Sequence, residues 1–65
     1  MKWTRINSDY RALYLGFHLS VEKTRDGGWN WFVHDKNTSR HGEALYLNEA
    51  KSAAIDAARK AANRP

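Results

Sequence analysis

Apolar side chains occupy alternate positions at Leu13, Leu15, Phe17, Leu19 and Val21, with Tyr14, Gly16, His18, Ser20 and Glu22 between and after them. Five successive matches to a period of two predict one half-buried strand over 13–22. A second run, Trp29-Asn30-Trp31-Phe32-Val33-His34, follows the turn signal Asp26-Gly27-Gly28, so the two runs read as a hairpin. Residues 35–41, centred on Asn37-Thr38-Ser39, form a polar turn, and 42–45 is a third, short strand. Residues 2–6 supply a candidate fourth strand, and 7–12 read as a turn or a single helical turn.

From Leu47 the period changes. Leu47, Ala50, Ala54, Ala57, Ala58 and Ala61 fall on one stripe at 3.6-residue spacing, opposite Ser52, Asp56, Arg59 and Asn63. Glu49 near the start and Arg59, Lys60 and Arg64 toward the end complement the helix dipole. Tyr46 stands where a Ser or Thr cap belongs, three residues before Glu49, which leaves Asn48 as the expected cap. A helix of about sixteen residues spans roughly 24 Å, close to the length of a six- or seven-residue strand.

The hairpin register decides which rings are covered. A two-residue turn at Asp26-Gly27 sets Val21 against Phe32 and leaves Trp29 and Trp31 on the polar face. A three-residue loop, Asp26-Gly27-Gly28, sets Val21 against Val33 and brings Trp29, Trp31 and Val33 into the apolar row. A slip of one residue moves a whole strand between faces, and only the second choice gathers both tryptophans into the core. Phe32 and His34 are then outside.

Composition agrees with this order of elements. All eight aromatic residues precede Asn48 and seven of nine alanines follow it. Rings and branched side chains suit a pleated surface, and alanine suits a helix. The expectation is one α+β domain over 1–65, an antiparallel sheet of three strands, or four with 2–6, packed on one C-terminal helix. Small alanines facing large rings fill such a two-layer core. A 65-residue chain hides only about 60% of its unfolded surface, and zero Cys removes disulfides as reinforcement.

Several function classes fall away. The positive start Met1-Lys2-Trp3-Thr4-Arg5 has no apolar stretch behind it, and no run is long enough to span a bilayer. A cytoplasmic protein with no membrane partner is expected. His18, His34 and His41 have no Cys beside them and no HxxxH spacing, so structural or surface histidines are favoured over a metal site. Without a nucleophile elbow or a phosphate loop, the chain reads as no enzyme and as needing no cofactor.

Gly28-Trp29-Asn30-Trp31 in a strand, and Gly42-Glu43-Ala44 leading into Asn48-Glu49-Ala50-Lys51-Ser52-Ala53-Ala54, resemble small β-β-β-α domains. The arm-binding domain of phage-type integrases and the plant ethylene-response domain share that order over roughly 13–62. The resemblance implies DNA binding, with the sheet face opposite the helix entering the major groove. Families of this kind read bases with arginine and tryptophan on that face. The outward positions expected here are Tyr14, His18, Ser20, Asn30, Phe32 and His34, with no arginine among them. The pattern also looks like orphan proteins of phages and mobile elements, some of which inhibit host enzymes.

Charge favours anionic partners. Eleven Lys and Arg stand against seven Asp and Glu, a formal +4. They are dispersed, seven against five before Glu49 and four against two from there on, so there is no basic tail. One helix covers one side of a sheet, so the surplus rings imply a binding surface. The leading expectation is a nucleic-acid-associated protein, DNA or RNA. Lys23, Lys36, Arg40 and His41 would meet phosphate, and Tyr14, His18, Phe32 and His34 would form the outer face. The competing expectation is an inhibitor docking on an acidic protein surface of a host enzyme or defence complex, or a homodimer, through that same face.

Overall fold

The computed structural model describes residues 1–63; Arg64, assigned above to the helix dipole, lies outside them. The chain is α+β, a five-stranded antiparallel sheet packed on one C-terminal helix. The strands are β1 (Thr4–Ile6), β2 (Asp9–Tyr14), β3 (Phe17–Lys23), β4 (Trp29–His34) and β5 (Ser39–Ala44), followed by α1 (Leu47–Ala62). They lie side by side in chain order, so every connection within the sheet is a hairpin. Of the candidate strand at 2–6, Thr4–Ile6 is a true strand, and the third expected strand runs Ser39–Ala44 rather than 42–45.

The alternation from Leu13 to Val21 is two strands, not one. Leu15 and Gly16 take φ of 53° and 84°, and Tyr14 pairs with Phe17 across them. Positive φ at both central residues is the signature of a type I′ turn. An even turn inverts parity: Phe17, Leu19 and Val21 face the helix, and so do Tyr14, Ala12 and Tyr10 opposite them. Leu13 pairs with His18 on the other face and is 65% exposed. Residues 7–12, read as a turn, are a β1–β2 turn at Asn7-Ser8 followed by the first half of β2.

The β3–β4 register keeps the expected faces with different partners. Val21 opposes Trp31 and Leu19 opposes Val33. The three-residue loop is Arg25-Asp26-Gly27, one position earlier than expected. It is closed by Thr24 N–H donating to the Gly28 carbonyl at 2.9 Å, with Gly27 at φ 91°. Moving a loop of fixed length by one residue shifts the pairing by two, which leaves every side chain on its own face. Thr24 explains the shift. Its hydroxyl donates to Asp26 Oδ1 at 2.6 Å and accepts Gly28 N–H at 3.0 Å, so the loop closes on Thr24 rather than Arg25. The Thr24 hydroxyl, with a backbone hydrogen bond, holds the Asp26 carboxyl below its usual range.

The core is the seam between sheet and helix. Phe17, Leu19, Val21 and Val33 are buried there with Ala50, Ala54, Ala57, Ala58 and Ala61, the stripe read from the sequence. Alanines let α1 approach closely over β3, β4 and β5. Trp31 lies directly across from Gly42, and its ring occupies the space a side chain there would need. A Cβ on Gly42 would stand 2.6 to 2.8 Å from three of its ring atoms. Helix α1 starts two residues earlier than an Asn48 cap requires. Tyr46 is the N-cap residue, makes no side-chain cap bond, and accepts Ala50 N–H through its carbonyl at 3.0 Å.

Two substitutions test this fold. Leu15→Asn is expected to stabilise by about 1 kcal/mol, because a leucine in the left-handed region costs roughly that and Asn-Gly is the favoured I′ pair. In thermal melts this reads as an upward shift of roughly 4–8 °C. Gly42→Ala is expected to destabilise by about 1–3 kcal/mol by displacing the Trp31 ring, with a changed near-ultraviolet circular dichroism spectrum.

Candidate nucleic-acid interface

The face opposite the helix is ordered into cross-strand rows by the register. Thr4, Arg11, Ser20, Phe32 and His41 form one row, a residue from each strand. Leu13, His18, His34 and Ser39 form a second, toward the Leu15-Gly16 turn. Ile6, Asp9, Glu22, Asn30 and Glu43 form a third, toward the Asp26 loop. Three carboxylates therefore sit in the third row and none in the other two.

Rings gather on the carboxylate-free side. His18 and His34 stack across the strands with centroids 5.3 Å apart and planes 21° from parallel. Phe32 and His41 are 6.3 Å apart and tilted by 33°. Beside them lies a shallow hollow of about 380 Å³. Lys2, Thr4, Arg11, Leu13, His18, Ser20 and His34 line it, with Ala12 and Leu19 below. Two cations, two hydroxyls and two imidazoles meet there with no carboxylate, a donor set suited to an anion.

The other two described hollows differ. One, of about 570 Å³, runs between β5 and α1 and includes Asp56 beside Arg40 and Lys60. Another, of about 340 Å³, near the Asp26 loop includes both Asp26 and Glu43. Among the described residues no group of three or more potential ligands is placed to hold a metal ion, and no described helix is long and apolar enough to cross a membrane.

The expected site residues divide accordingly. His18, Phe32, His34 and His41 are on the outer face, and Lys36 is exposed in the turn joining His34 to Ser39. Tyr14 is not on that face: parity turns it to the helix side, where it packs against the core. Its hydroxyl accepts a hydrogen bond from Arg59 Nε at 3.1 Å, which favours the charged guanidinium still further. Arg40 pairs with Val33 and so lies on the helix side, and Lys23 sits at the Asp26 end opposite Trp29. The expectation of no outward arginine is overturned by Arg11, paired with Ser20 in the central row. Taking 7–12 as a turn hides Arg11. The alternation of Asp9, Arg11 and Leu13 with Tyr10, Ala12 and Tyr14 was the signal that could have found it.

No protein-family model, curated protein or solved structure matches the chain. The functional reading therefore rests on the site. Tyr14→Ala is expected to lower stability in urea by roughly 2–3 kcal/mol, as loss of a core-packed ring does. Phe32→Ala on the outer face is expected to cost less than about 1 kcal/mol, the scale of a cross-strand pair.

Proposed function

We propose that this is a non-enzymatic nucleic-acid-binding protein that engages phosphate and bases with the outer face of its sheet. The observation that carries the reading is the carboxylate-free half of that face, where Arg11 and Lys2 meet His18, His34 and the Phe32 row. Phosphate contacts supply most of the affinity of such a protein, and they need cations free of neighbouring carboxylates. The three carboxylates of the Asp9, Glu22 and Glu43 row repel phosphate from the other end and so fix the direction of approach. An aromatic protein-docking surface has less to build on: Phe32 is the one Phe, Tyr or Trp in the three outer rows, since Tyr14, Trp29 and Trp31 face the helix.

Binding to labelled oligonucleotides should weaken steeply as salt rises. Arg11→Ala is expected to lower affinity and reduce the slope of log K against log salt by about 1, the signature of one lost phosphate contact. Lys60→Ala, on the helix, leaves both unchanged. Fluorescence anisotropy over a salt series measures this, and an Arg11→Ala slope equal to that of the native chain counts against the assignment.

A further inference from the structure

The same face carries an argument about the form of its ligand, which rests on the reading just given. The rows that hold the cations and rings draw on all five strands, from Thr4 in β1 to His41 in β5. Strands lie about 4.8 Å apart, so four spacings make the face roughly 19 Å wide. The major groove of a duplex is about 12 Å wide and admits a helix or a two-stranded ribbon. Strands of six or seven residues run about 20 Å or more, so the face is broader than the groove in either orientation and cannot lower its central row into it, and the minor groove is narrower still.

We infer that the outer face binds single-stranded nucleic acid, with an unpaired base stacked on Phe32 and the adjoining phosphate at Arg11. Phe32 presents its ring in the middle row, on β4, with His41 tilted beside it and the His18–His34 stack in the next row. Arg11 lies two strands away in the same row, about 10 Å across the sheet. A strand crossing β5 to β1 therefore passes over a π surface and then a cation. Stacking of this kind needs a base freed from its partner and tolerates any base, because every base has a π face. Rows crossing the strands give the path, and the carboxylate row bounds it on one side.

The test compares a twelve-nucleotide oligo-dT, an oligo-rU of the same length and a twelve-base-pair duplex, each end-labelled, in anisotropy titrations at low salt. Native protein and Phe32→Leu are used, the latter keeping bulk on the strand while removing the ring, with circular dichroism to show that it folds. The expected result is that one or both single strands bind at least ten-fold more tightly than the duplex. Phe32→Leu is then expected to weaken single-strand binding about ten-fold, with little effect on any residual duplex binding. Preference for one of the two single strands identifies DNA or RNA as the ligand and supports the inference equally. Duplex bound as tightly as either single strand, or single-strand affinity unchanged by Phe32→Leu, overturns the inference while leaving nucleic-acid binding in place. No binding to any of the three overturns both readings.

Discussion

A strand in a sheet offers its side chains two faces, and the length and position of each turn decide the choice for the whole strand at once. In this chain α1 can shield only one face, so the turns fix both what becomes core and what is left for a ligand. The two-residue turn at Leu15-Gly16 sends Tyr10, Ala12 and Tyr14 to the helix side and Arg11 and Leu13 to the other. The Arg25-Asp26-Gly27 loop, closed by Thr24, then sends Trp29, Trp31 and Val33 after them. Either turn lengthened by one residue would place a different set of residues on the outer face.

The helix side uses more rings than a narrow helix can bury, and long helix side chains make up the difference. α1 rests on β3, β4 and β5, while β1 and β2 extend beyond it. Lys51 reaches across, its Nζ 4.4 Å from the centre of the Tyr10 ring and 5.5 Å from that of Trp3. Such cation–π contacts are worth about 0.5–1 kcal/mol when exposed and more when desolvated. Tyr10 in turn lies 6.1 Å from Trp29, and Arg59 binds the Tyr14 hydroxyl. Rings that seem surplus when one counts them against alanines are the cover of an overhanging sheet.

Much of this was legible in the sequence. The alanine stripe marked the buried face of α1 from Leu47 onward, because helical period and low propensity cost agree there. The faces of β3 and β4 were legible too, since only one of the two parities open to β4 gathers Trp29, Trp31 and Val33 into the apolar row. The Leu15-Gly16 turn was hidden because its leucine continues the odd-numbered apolar run and carries no turn chemistry of its own. Reading through it joined two strands, reversed the face of Tyr14 and concealed Arg11. The β5 residues Ser39, Arg40 and His41 were obscured for a related reason: a polar edge strand has little hydrophobic alternation to show. Of the candidate site, His18, Phe32, His34, Lys36 and His41 were accessible to sequence reasoning. Arg11 is signalled only by the alternation over 9–14, and Lys2 becomes visible only with the register.

The outer face that results is polarised, with rings over two rows, Arg11 in one of them and Lys2 alongside, and carboxylates along the third. Amide chemical-shift mapping during titration with a short oligonucleotide tests this most directly, because it reports which face is touched without altering the chain. Shifts concentrated at Arg11, His18, Ser20, Phe32, His34 and His41, fading toward Asp9, Glu22 and Glu43, are the result this account predicts. Shifts concentrated instead at Arg40, Asp56 and Lys60, in the hollow between β5 and α1, would contradict it.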